Sequence, residues 1–174
     1  MPPARPLLGI ALMAAGMALL PVGDAIGKYL TATAPYGGAF LAWSRFVVGA
    51  ALIAPAAASM GAFRGLGWDF LGRQAIRGGL VAAAITCVLN AVESTPLADV
   101  YGAFFIGPSL ATIAAVILLG ETARWPDWVA VALGLIGVLM VLRPSAEISP
   151  GLLWALGAGS CFGAFLVATR WAAG

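Results

Sequence analysis

Residues 98–119 read ADVYGAFFIGPSLATIAAVILL, and this stretch decides the fold. Past Asp99 it carries no charge until Glu121. A helix needs roughly 20 mostly apolar residues to cross the ~30 Å hydrocarbon core of a bilayer, and this run supplies them. Polar and apolar residues do not alternate at period two, so a half-buried strand is excluded. The stretch reads as a transmembrane helix.

The same test is met on both sides of it. Leu7–Leu30, Gly38–Ala57 and Ala75–Glu93 precede it, and Pro126–Leu142 and Pro150–Trp171 follow. Six spans make the expected fold an all-α, polytopic transmembrane helix bundle. Breakers or charges separate them: Pro35-Tyr36-Gly37-Gly38, Gly65-Leu66-Gly67, Pro96, Gly120-Glu121 and Arg143-Pro144-Ser145. Connections this short force neighbouring helices antiparallel. The N-terminal run is longer than the 7–15 residues of a signal-peptide core. Asp24 and Lys28 also precede the small residues Ala32-Thr33-Ala34, so the first helix is read as uncleaved.

Composition agrees with a bilayer. Hydrophobic residues make up 62% of the chain and charged residues 9%, against roughly 25% charge in soluble domains. Nine Lys plus Arg against seven Asp plus Glu give a net charge of +2, too sparse for the clustered basic face that nucleic acid requires. Histidine is absent, and no Cys or carboxylate cluster has metal-ligand spacing, so neither metal nor cofactor is expected. Cys87 and Cys161 lie in apolar runs as small buried hydrophobes. They can form a disulfide only if their helices touch.

Positive charges favour the cytoplasmic side of a membrane protein. With the N-terminus in the cytoplasm, Arg5, Arg64, Arg73, Arg77, Arg124 and Arg170 fall inside, and only Lys28 and Arg143 fall outside. Trp68, Trp125, Trp128 and Trp171 then sit at the inner boundary, where tryptophan favours the interface.

Ionisable residues within the spans are costly, about 2.5–3.5 kcal/mol at the bilayer centre, and are functional by default. Asp24 lies roughly 9 Å from the outer end of the first helix. Arg45 lies at similar depth in the second, and the two are expected to pair. The pair admits two readings, a structural ion pair that sets helix register or a substrate or proton site. Lys28 stands one turn beyond Asp24 on the same face. Asn90, Glu93 and Tyr101 come to the same level, so an outward-facing vestibule is expected. Lys28 and Glu93 are also read as interfacial side chains that snorkel to water, and Asn90 and Tyr101 as inter-helix hydrogen bonders. Pro108 removes a backbone hydrogen bond mid-span, and Phe104 and Phe105, one turn away, are candidate pocket walls. A plain packing kink explains Pro108 equally. Small residues Ala130, Gly134 and Gly137, and Gly159 and Gly163, form stripes suited to close helix contact.

The sixth span resembles the first: aligning Gly151 with Gly9 places Arg170 on Lys28 and Trp171 on Tyr29. A repeat that restarts after five spans is inverted in the membrane, as in many secondary transporters. The chain as a whole resembles the drug/metabolite transporter superfamily, of the ten-helix type built from two five-helix EamA-like repeats. Gly23-Asp24-Ala25-Ile26-Gly27-Lys28 and Trp43-Ser44-Arg45-Phe46 carry the likeness, as does Pro96-Leu97-Ala98-Asp99 through Phe104-Phe105-Ile106-Gly107-Pro108 to Leu118-Leu119-Gly120-Glu121. Gly134-Leu135-Ile136-Gly137-Val138 and Val141-Leu142-Arg143-Pro144 complete it. The resemblance implies an inner-membrane permease that moves a small metabolite or drug-like compound by alternating access. The Asp24-Ala25-x-x-Lys28 ending is similar to transporters assigned to S-adenosylmethionine or riboflavin.

On this reading residues 1–144 form the first repeat. Residues 145–174 are a linker and the first helix of a second repeat that is otherwise missing, so the chain is expected to be truncated. Its expected partners are a small-molecule substrate, the lipid bilayer, and either the missing repeat or a second copy of the chain. A half-size protein working as a homo-oligomeric transporter or interaction subunit is the alternative. A membrane-embedded enzyme is disfavoured: an aspartyl protease needs two aspartates sharing a proton, and Asp99 and Asp127 lie at helix ends. Without histidine, the usual activator of a Ser or Cys nucleophile is also missing.

Overall fold

The computed structural model describes residues 6–34, 36–62, 67–142 and 149–173. The breakers Pro35, Gly65-Leu66 and Arg143-Pro144-Ser145, and the cations Arg5, Arg64 and Arg143, lie outside the described residues. The fold is all-helical, with no strand among the described residues. In order the helices are α1 (Pro6–Thr33), α2 (Gly38–Ser59), α3 (Trp68–Ser94), α4 (Leu97–Phe104), α5 (Ile106–Leu119), α6 (Trp125–Leu142) and α7 (Pro150–Ala173). Five stretches are long and apolar enough to cross a membrane. The apolar stretch Trp125–Met140 of α6 is shorter than these five.

The stretch 98–119 is helical but not one helix. It divides at Phe105, where backbone dihedrals of −67° and −2° close α4 before α5 begins. Pro108 is the cause. It offers no N–H to the carbonyl of Phe104, and its ring crowds that carbonyl, so the break falls three residues before the proline rather than at it. At the far end of α5, Gly120 adopts a left-handed φ of 67°. Its missing side chain permits this turn, and the Glu121 backbone N–H reaches the Ala115 carbonyl at 3.3 Å.

α7 is the centre of the bundle. It lies along α3 on one side and along α4 and α5 on the other, while α1 rests on α2 and α3. Arg77 Nε donates to Thr169 Oγ1 at 3.1 Å near one end of the α3–α7 contact, and Thr95 meets Gly151 at the other, so the two helices are antiparallel. The shared core is fully enclosed and small in volume, built from Leu89, Ala91, Val92, Val100, Ala103, Ala155 and Ala158. Small residues let helices approach closely where dispersion, rather than water exclusion, must hold them together. A β-carbon on Gly107 would sit 2.5 Å from the Gly159 carbonyl oxygen, and one on Gly163 would sit 2.7 Å from that of Gly107. Gly159 and Gly163 therefore mark a real close approach. In the α6 stripe only Gly134 does so, against Ser109 Oγ, whereas Gly137 has open space.

Large apolar side chains point outward instead. Leu52, Ile53, Ile117, Leu118 and Met140 are each more than 70% exposed or close to it. Contiguous apolar exposure of this kind marks a surface made for a non-aqueous neighbour, and it agrees with the membrane-spanning lengths.

Candidate functional site

Asp24 sits near the end of α1, between Gly23 and the turn that carries Gly27 and Lys28. The two glycines leave a shallow face, and Arg45 of α2 lies across it. A β-carbon on Gly27 would come within 3.0 Å of Arg45 Nη2. From this position Arg45 Nη1 donates to Asp24 Oδ1 at 2.5 Å, and Nη2 donates to the Gly23 carbonyl. The second carboxylate oxygen is engaged as well: the Tyr101 hydroxyl of α4 donates to Asp24 Oδ2 at 2.6 Å. One carboxylate thus joins three helices. The Asp24 side chain is 13% exposed and that of Arg45 33%.

The groups around the triad hold this end of the bundle together. Lys28 Nζ donates to the Thr95 carbonyl at 2.8 Å and ties α1 to the end of α3. Glu93, expected to snorkel, instead accepts the Gly38 backbone N–H with Oε1. That places a carboxylate on the free N–H groups and positive dipole end of α2. Gly38 is required there, because a β-carbon would lie 2.5 Å from the Leu89 backbone. Ser94 and Thr95 press against Gly151 at the start of α7, where Ser149 Oγ accepts the Leu152 N–H at 3.2 Å.

Comparison with protein-family models, with curated proteins and with solved structures finds no match. The chemistry is therefore read from the residues themselves.

The structure divides the expected vestibule. Asp24, Arg45 and Tyr101 meet, and Lys28 stands beside them on its own carbonyl partner. Asn90 is partly buried near the same end but makes no side-chain hydrogen bond to the triad. The expected pocket of Phe104, Phe105 and Pro108 does not form. Phe104 turns inward onto Phe162 of α7, with ring centroids 5.0 Å apart, and onto the edge of Tyr101 at 6.3 Å. Phe105 is 60% exposed. Pro108 lines a separate cavity between α5, α6 and α7. Phe104 and Phe105 are consecutive, about 100° apart on a helix of 3.6 residues per turn, and the break between α4 and α5 separates both from Pro108.

That cavity carries groups the sequence did not mark as site residues: Glu121, Arg170, Ser109 and Thr112. A signal was available, since Glu121 and Arg170 have opposite charge and both fall at the expected inner boundary. Chemically, the Asp24 triad offers a carboxylate held by two donors. A proton or a cationic group arriving at Asp24 must displace Arg45 or Tyr101, and an anionic group must compete with Asp24 for Arg45.

Proposed function

We propose that this chain is the membrane-embedded unit of a secondary carrier for a small metabolite or drug-like compound. In this reading Asp24, Arg45 and Tyr101 contact the cargo or the coupling proton, and alternating access operates between inverted repeats. The observation that carries the proposal is the three-helix junction on Asp24: a charged pair and a phenol within apolar helices, where an ionisable group is retained for function by default. The interruption between α4 and α5 supports it, because broken helices line the transport path in many carriers. The excess of Lys and Arg at one set of helix ends supports an N-terminus in the cytoplasm.

Uptake of a panel of labelled metabolites into proteoliposomes tests this, with the protein in a form that carries both inverted repeats, since the site of such a carrier lies between them. Saturable uptake that disappears in Asp24→Asn at unchanged expression supports it. No saturable flux across the panel argues against a carrier, and full uptake by Asp24→Asn removes the triad from the mechanism.

A further inference from the structure

At the end of the bundle away from Asp24, α5, α6 and α7 line an open cleft of about 380 Å³, within the roughly 300–1,000 Å³ of small-molecule sites. Its polar wall has three hydroxyls, Ser109, Thr112 and Thr122, and three charged groups, Glu121, Asp127 and Arg170. The left-handed turn at Gly120 directs the chain so that Glu121 Oε2 accepts Arg170 Nη1 of α7 at 3.0 Å. Asp127, in the first turn of α6, accepts the Arg124 backbone N–H with Oδ2 at 2.7 Å, one arm of a capping box at the helix start. Ser109 is only 6% exposed and stands against Gly134, so its hydroxyl marks the deep end of the space.

Each carboxylate keeps one oxygen outside these contacts, Glu121 Oε1 and Asp127 Oδ1. The wall carries one more negative charge than positive, and its single guanidinium is already engaged. The Glu121 and Arg170 side chains are each 46% exposed, and ion pairs so open to solvent are weak. An entering cation can displace Arg170 from Glu121 with little penalty, whereas an entering anion meets two carboxylates. An ammonium brings three N–H donors and no acceptor, which matches the free carboxylate oxygens and a hydroxyl.

We infer that this cavity binds a small organic cation, a protonated primary amine of the size of ethanolamine or putrescine, held by Glu121 and Asp127 with Ser109 or Thr112 behind. The inference requires no transport step, so it stands or falls separately from the carrier reading.

Charge-matched labelling tests it. In a background with Cys87→Ala and Cys161→Ala, Ser109→Cys is exposed in membranes to thiol-reactive methanethiosulfonates of similar size, one cationic (ethylammonium) and one anionic (ethylsulfonate). The expected result is cationic labelling faster by about tenfold or more, the scale on which a like-charged cleft concentrates its counter-ion. Putrescine should slow that labelling, and acetate should not. Joining Glu121→Gln with Asp127→Asn should remove both the charge preference and the protection. Equal rates for the two reagents, no labelling at all, or no protection by putrescine or ethanolamine would overturn the inference. If Ser109→Cys does not fold, Thr112→Cys on the same wall carries the identical test.

Discussion

Arg45 of α2 and Asp24 of α1 meet at 2.5 Å, Nη1 to Oδ1, near the same end of two consecutive helices. Arg45 also donates to the Gly23 carbonyl, so its guanidinium is held by backbone and carboxylate together. Such a contact has a structural consequence that is separable from any functional one.

Asp24→Asn should destabilise the protein by about 3 kcal/mol, the low end of the range for breaking a buried pair, because Arg45 remains 33% exposed. Replacing both residues together, Asp24→Leu with Arg45→Met, should recover most of that loss. Thermal unfolding in detergent of the two single variants and the double variant measures the coupling. Coupling near zero would mean that the pair does not form in the membrane.

Tyr101→Phe removes one hydrogen bond to a charged acceptor, worth about 1.5–3 kcal/mol, while Asp24 keeps Arg45. The expected loss is therefore smaller than for Asp24→Asn, and it should vanish when Asp24 is already Leu, which offers no acceptor. Additive losses in the combined variant would place Tyr101 outside the junction.

The close approach of α5 and α7 distinguishes glycines that look alike in sequence. Gly159→Ala, whose β-carbon would lie 2.7 Å from the Phe104 carbonyl oxygen, should destabilise by about 1–3 kcal/mol through overpacking. Gly137→Ala, with nothing within 4 Å, should be neutral or stabilise by up to about 1 kcal/mol. Equal melting temperatures for the two variants would contradict the packing described.

Cys87 of α3 and Cys161 of α7 stand against each other as free thiols. Mild oxidation with copper phenanthroline should close a disulfide between them, which requires α-carbons within about 7 Å. The readout is joint protection of both thiols from a polyethylene-glycol maleimide, reversed by reductant. Independent alkylation of each thiol after oxidation would mean that the two sulfurs do not reach disulfide geometry across α3 and α7.

The charge distribution fixes an expected orientation. A cysteine introduced at Ser59 should react only with impermeant reagent applied from the cytoplasmic side, and one at Ser145 only from the outside. The opposite pattern would invert the topology.

Much of this architecture is legible in the sequence. Each long apolar run is helical among the described residues, the breakers Gly37, Gly67, Pro96 and Gly120 fall between helices, and the matched depth of Asp24 and Arg45 anticipates their contact. The reason is local. Within an apolar surrounding a chain satisfies its backbone hydrogen bonds inside each segment, so length, hydropathy and breakers alone determine where helices run. Depth then follows from counting residues along a helix of known rise.

Which helices touch is a different kind of information, and only the tertiary structure decided it. That α7 occupies the centre, that Tyr101 rather than Lys28 or Asn90 completes the Asp24 junction, and that Glu93 caps α2 depend on rotation about each helix axis. So does the position of Pro108 in a cavity with Glu121 and Arg170, far from Asp24. A helix that is apolar on every side carries no amphipathic stripe to reveal its rotation. The choice is made by steric fit at a few small residues, Gly38, Gly107, Gly151 and Gly159 among them, and by the reach of single polar side chains. These are relations between segments distant in sequence, and they exist only once the helices have packed.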